Sequence, residues 1–209
     1  MGKQRINKKV LYMSEMAILI AIILLMAFTP IGYIRTAGLE ITLISIPVIV
    51  GAIVLGPAAG AILGGLFGLT SFLQCVMGLS AFGTMVLQIS PWKTAIVCIP
   101  TRLLMGWLAG LIFKAFKKKN FWAYSIPSLC GALLNTLFFM SALLLLFWHT
   151  DFIQNIAASL GAKSILGFVV AFVGVNGLVE AITCFVIAGA VSIAVDHFVN
   201  NSNKIVAAK

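Results

Sequence analysis

The chain has 209 residues, of which 62% are apolar and 9% charged, and its mean hydropathy is +1.14. Soluble domains run near 45–50% apolar and about 25% charged, and a chain of this size has too much surface to hide such an excess. The composition excludes a soluble globular enzyme, a disordered chain and a nucleic-acid binder, and makes the bilayer the solvent.

The net charge of +9 arises from 14 Lys+Arg against 5 Asp+Glu, and its placement carries more information than its size. Lys3, Arg5, Lys8 and Lys9 precede the first apolar run. Lys114, Lys117, Lys118 and Lys119 surround one short gap, and Lys204 and Lys209 lie at the C-terminus. An even number of spans puts these three groups on one side, which the positive-inside rule makes the cytoplasm. Arg35, Lys93, Arg102 and Lys163 stand apart from them.

A membrane-crossing helix needs about 20 mainly apolar residues. The first candidate covers 10–28 and stops at Thr29-Pro30; lacking a small-residue cleavage site, it reads as a retained helix rather than a signal peptide. The apolar stretch 41–75 is too long for one span, and Leu55-Gly56-Pro57 breaks it into two short helices, 41–55 and 58–75. Residues 76–91 read as a partly helical loop on the outer face. A fourth helix covers 92–116, with a kink expected at Pro100. A fifth covers 121–148, a polar break covers 149–163, and a sixth helix covers 164–198. The expectation is an all-α membrane protein: six transmembrane helices in a single bundle, one domain over 1–209, both termini cytoplasmic.

Catalysis finds no support. No phosphate-binding loop, zinc-binding HExxH or nucleophile elbow is present. Cys75, Cys98, Cys130 and Cys184 are scattered without metal-ligand spacing and read as buried apolar thiols; no metal or cofactor is expected. The acids Glu15, Glu40, Asp151, Glu180 and Asp196 are too dispersed for a metal-binding cluster. ATP hydrolysis would have to come from elsewhere.

Two sets of small residues recur at spacing four, Gly60, Gly64 and Gly68 on the third helix and Ala17 and Ala21 on the first. Such a face lets another helix backbone approach closely. For the glycines this reads as packing within the bundle. For the alanines, packing and docking of a second membrane protein both stand open.

Polar groups inside spans are functional candidates by default. Arg102, Asn135 and Asn176 fall at similar depth on helices four, five and six, and Glu180 lies one turn from Asn176 on the same face. A structural Arg102–Glu180 ion pair with helix-tying asparagines is one reading. An anion-recognising pocket open to the outside is the other. Trp92 and Lys93 at the outer end of helix four and Arg35 in the first outer loop are further ligand candidates, with Tyr33, Gln74 and Gln88 weaker ones. His149 and Asp151 read as a solvated loop.

The basic N-terminus, the Ala17–Ala21 pair, and the run from Ile46-Pro47-Val48 through Leu55-Gly56-Pro57-Ala58-Ala59-Gly60 to Phe67-Gly68 resemble the substrate-binding S-components of energy-coupling factor transporters. The resemblance covers the whole chain and looks closest to members assigned to pantothenate. It implies a bacterial cell-membrane subunit that binds a water-soluble vitamin near the outer face. It also implies a transmembrane coupling subunit, met by the Ala17–Ala21 face, and two cytoplasmic ATPases, with no nucleic acid partner. Pantothenate suits Arg102 or Lys93 for its carboxylate and Asn135 and Asn176 for its amide and hydroxyls. Folate, biotin and niacin also carry carboxylates, while riboflavin or pyridoxine would stack on Trp92, Phe138 or Phe139. A self-contained secondary transporter is the remaining alternative, disfavoured by the lack of a repeat and by Glu180 being the one deep acid.

Overall fold

A computed structural model describes residues 8–30, 32–34, 41–116 and 120–207. Its first helix, α1 (Lys8–Ala27), runs to the Thr29-Pro30 stop. Two-residue strands β1 (Tyr33–Ile34) and β2 (Ile41–Thr42) then pair antiparallel, Tyr33 opposite Thr42. Helix α2 covers only Ser45–Val54 and α3 covers Pro57–Val76. The break between them is made by Gly56 at φ +100°, a conformation that glycine alone adopts without strain, followed by Pro57 in the first helical turn.

Helices α4 (Ala81–Ile89), α5 (Pro91–Ala115), α6 (Phe121–Phe147) and α7 (Asp151–Ser159) follow. The last long element is α8 (Ile165–Thr183), a π-helical turn (Cys184–Ala188) and α9 (Gly189–Ala207) in succession. Side-chain caps start three of these helices. Ser80, Asn120 and Ser164 accept from the backbone N–H of Gly83, Ala123 and Gly167 at 3.3, 3.0 and 3.1 Å.

Each of the six predicted segments therefore holds a helix, yet they are not equivalent. Five are long and apolar enough to cross a membrane: Lys9–Ala27, Pro57–Val76, Pro91–Ala115, Phe121–Phe147 and Ile165–Phe198. Helix α2, at ten residues, rises only about 15 Å, because β2 takes the start of the stretch expected to be helical. It is buried almost all round, from Ser45 to Ile53, and contacts α1, α3, α5, α6 and α9. The expected polar break 149–163 also contains a helix, α7, since Ile153 and Ala157, one turn apart, bury one of its faces.

The closest packing joins α3 to α5, which run antiparallel. A Cβ on Gly60, Gly64 or Gly68 would fall within 3 Å of the backbone at Gly106, Arg102 or Cys98 respectively. The three glycines thus let the α5 backbone lie directly on α3. Outward-facing Leu145, Leu166, Val170 and Val175 are each more than 70% exposed, the apolar periphery of a chain solvated by lipid. Ala17 and Ala21 are likewise exposed on α1.

Candidate functional site

At one end of the bundle, the C-terminal part of α3, helix α4, the N-terminal half of α5, the C-terminal half of α6 and α8 enclose a cavity of about 470 Å³. Such a volume suits a small-molecule ligand. Its walls mix apolar residues such as Val86, Val97, Leu143 and Val173 with convergent polar groups.

Among the described residues Arg102 is the cation that lines the cavity, and it is buried. Its guanidinium carbon stands 4.9 Å from the Phe67 ring centroid and 5.3 Å from that of Phe139. Nη1 donates to the carbonyls of Cys98 at 3.1 Å and Val97 at 3.4 Å, while the buried Nε has no hydrogen-bond partner among the described residues. Two aromatic faces and two carbonyls offset part of the cost of burying the charge. They leave the outer fork of the guanidinium with donors to give, and a planar fork of N–H groups matches a carboxylate.

Glu180 lines the same cavity from α8 and is also buried. Its Oε1 accepts from Thr42 Oγ1 at 2.9 Å, Ser45 Oγ at 3.1 Å and Asn135 Nδ2 at 3.2 Å. Three donors fix the carboxylate, and among the described residues Oε2 accepts none. The expected ion pair is not formed: among the described residues Arg102 has no carboxylate partner, its bonds going to its own helix. Glu180 meets hydroxyls and an amide instead, because β2 and the start of α2 reach its carboxylate first. The cavity therefore holds a cation and an anion, each anchored independently.

Asn135 and Asn176 add to the polar lining, the Asn135 Oδ1 being buried without a hydrogen-bond partner among the described residues. Four residues singled out from the sequence, Arg102, Asn135, Asn176 and Glu180, thus share one cavity. The weaker candidates Tyr33 and Gln74 line it too, and the Gln74 amide donates to the Ala27 carbonyl, tying α3 to α1. Phe139 lines it as well, whereas Phe138 packs into the core.

Trp92 and Lys93 are not among the lining residues. Trp92 is 83% exposed, and Lys93 donates to the Leu146 carbonyl at 3.3 Å with its ammonium over the Phe147 ring. A lysine on the last carbonyls of α6 is a helix-end contact, while its neighbour Thr94 lines the cavity. Gln88 and His149 are exposed, and Asp151 sits in the first turn of α7. Arg35 lies outside the described residues.

Sequence reasoning passed over Thr42 and Ser45, the donors that hold Glu180, and the cavity-lining Ser71, Cys75, Thr94 and Cys98. Hydroxyls and thiols are common in spans and bond their own helix as readily as a ligand. No spacing signal separates these from the rest.

Relatives place the site in context. The chain is 29% identical over 195 residues to a pantothenate transporter, PanT, of Leuconostoc mesenteroides subsp. mesenteroides, covering 88% of this chain and 92% of that protein. It is 28% identical over 170 residues to a pantothenic acid transporter, PanT, of Lactococcus lactis subsp. cremoris, covering 77% and 80%. The profile of the ECF transporter substrate-specific component matches residues 11–192, nearly the full length of the bundle and all of the cavity. This protein belongs to the family of substrate-specific components of ECF transporters.

Proposed function

We propose that this chain captures pantothenate in the cavity between α3, α5, α6 and α8 and delivers it inward as part of a larger assembly. The observation that carries this reading is the joint presence of a buried Arg102 guanidinium with donors to spare and an anchored Glu180 carboxylate with an open oxygen. Such a pair suits a ligand that is an anion at one end and a hydrogen-bond donor at the other. Pantothenate has a carboxylate, a central amide and two hydroxyls. Its carboxylate would pair with Arg102, its hydroxyls would donate to Glu180, and Asn135 and Asn176 would meet the amide. A second carboxylate near Glu180 would be repelled, which disfavours dianions such as folate. Riboflavin would leave the guanidinium without an anion. The two relatives named for pantothenate support the same ligand.

The remaining parts of the reading follow from the family and the lysines. Residues 1–209 act as one substrate-binding domain in the cell membrane, with α2 as a short inner element among the five long spans and both termini in the cytoplasm. ATP hydrolysis belongs to two cytoplasmic ATPases reached through a transmembrane coupling subunit. The exposed Ala17 and Ala21 on α1 are the face that meets that subunit.

The test is to purify the full chain and titrate it with pantothenate, biotin, niacin, riboflavin, pyridoxine and folate by calorimetry and thermal shift. A ligand that binds the folded chain raises its melting temperature by mass action. Binding of pantothenate alone is the expected result, and binding of another vitamin with none of pantothenate overturns the assignment.

A further inference from the structure

Capture of pantothenate in this cavity leaves one charge unbalanced. Among the described residues that line it, Arg102 and Glu180 are the charged ones, and both are buried. Without ligand the two cancel. A ligand carboxylate paired with Arg102 uses up the guanidinium and leaves the Glu180 charge over. The hydroxyls of Thr42 and Ser45 and the amide of Asn135 orient that charge but, being neutral, do not cancel it. Arg35 and Glu40, outside the described residues, are opposite in sign and add nothing to the count. A buried carboxylate within a span is costly unless a positive charge answers it.

The surroundings of Glu180 match a small, hard cation. Its Oε1 takes all three anchoring donors, and Oε2 remains as an acceptor open to the cavity. Asn135 is bonded to the carboxylate through Nδ2, so its Oδ1 lies beside it, buried and with no hydrogen-bond partner among the described residues. Thr42 gives its proton to Oε1 at 2.9 Å and keeps its oxygen lone pairs. A carboxylate oxygen, an amide oxygen and a hydroxyl oxygen thus gather at one corner of the cavity. Oxygen ligands select hard cations over soft ones, and one surplus negative charge calls for a single positive one. A search for cysteines and histidines at ligand spacing does not detect such a site, because it draws one acid and neutral oxygens from β2, α6 and α8.

We propose that the cavity takes up a monovalent alkali cation together with pantothenate, held by Glu180 Oε2, Asn135 Oδ1 and Thr42 Oγ1 and completed by the hydroxyl oxygens of the ligand. The inference rests on the cavity being the pantothenate site. The carboxylate end of the ligand meets Arg102, its hydroxyl end meets the cation and Glu180, and the loaded cavity is neutral. A carboxylate oxygen has lone pairs enough to face the cation and still accept from one ligand hydroxyl. Anion and cation therefore favour each other, and by linkage each raises the affinity of the other by the same factor.

The experiment titrates the full chain in detergent with the N-methylglucamine salt of pantothenate by calorimetry. The buffer contains sodium, potassium or N-methylglucamine chloride at a constant ionic strength of about 0.1 M, so that screening does not change. Affinity should be about tenfold or more higher in an alkali chloride than in N-methylglucamine chloride. Titrating the alkali chloride instead, with thermal shift as the readout, should show the cation binding more tightly by the same factor when pantothenate is present. Glu180→Gln should bind pantothenate weakly and equally in all three salts. Thr42→Val, which keeps the side-chain shape and removes one oxygen, should need more alkali cation for the half-maximal effect.

Equal affinity of the native chain in all three salts would overturn the proposal. So would an affinity that follows pH and not the alkali cation, which gives the balancing charge to a proton, or a salt effect undiminished in Glu180→Gln, which puts the cation elsewhere. If pantothenate binds in none of the salts, the ligand reading fails and melting decides the cation site by itself. An alkali chloride should then raise the melting temperature of the native chain above its value in N-methylglucamine chloride and leave Glu180→Gln unmoved; no rise in the native chain would overturn the cation site as well.

Discussion

Glu180→Gln separates a ligand contact from a scaffold role. In the native chain all three anchoring bonds, from Thr42, Ser45 and Asn135, end on Oε1. A glutamine can keep its carbonyl oxygen in that position and retain all three. Its amide nitrogen then takes the place of Oε2, turning the cavity-facing acceptor into a donor. The ligand hydroxyl loses a bond to a charged group, worth about 1.5–3 kcal/mol. At about 1.4 kcal/mol per factor of ten, pantothenate should bind about 10- to 100-fold more weakly. The melting temperature without ligand should not fall, since the shape and the three bonds persist and a buried charge is removed. Glu180→Ala is the contrasting variant, because it strips the acceptor from three donors, each costing about 1–3 kcal/mol if left unpaired. It should lower thermal stability as well as affinity. Calorimetric titration beside thermal melting reads both quantities. Unchanged affinity in Glu180→Gln with lost stability in Glu180→Ala would make Glu180 purely structural and refute the reasoning.

Arg102→Ala should weaken pantothenate at least about thirtyfold, as expected for removing one partner of a buried charge pair, while leaving the chain folded. The alcohol analogue of pantothenate, which lacks the carboxylate, should bind native and variant chains alike; an equal loss for both ligands would take Arg102 out of the anion role. Gly64→Ala puts a Cβ 2.9 Å from the Arg102 carbonyl carbon, so it should destabilise by about 1–3 kcal/mol through overpacking and also weaken binding. Native-like melting and affinity would show that α5 can give way. Ala17→Trp with Ala21→Trp should spare pantothenate binding and block co-purification with the coupling subunit. Unimpaired assembly would return the exposed alanines to lipid contact.

Much of this molecule is legible in a one-dimensional reading because the bilayer constrains it so strongly. Apolar runs of membrane length and the Gly56-Pro57 break are local signals, and the long helices begin close to where these place them. The expense of burying a polar group in an apolar span is also local, and it marks Arg102, Asn135, Asn176 and Glu180 without any knowledge of packing. Because the rise per residue is constant along a helix, position in the span also bears on which of them can meet, and these four line one cavity. Which groups then meet is a matter of helix rotation and of loops reaching inward, and neither is written in spacing. That Glu180 is held by Thr42, Ser45 and Asn135 rather than by Arg102 depends on where β2 and α2 enter the bundle. That Lys93 turns to the end of α6 while Thr94, its neighbour, faces the cavity depends on the angle of α5. The close approach of α3 and α5 depends on Gly60, Gly64 and Gly68 meeting the backbone at Gly106, Arg102 and Cys98. The element pattern and the cost of buried charge belong to the sequence by itself; the pairing of those charges belongs to the tertiary structure, because it is set by contacts between residues far apart in the chain.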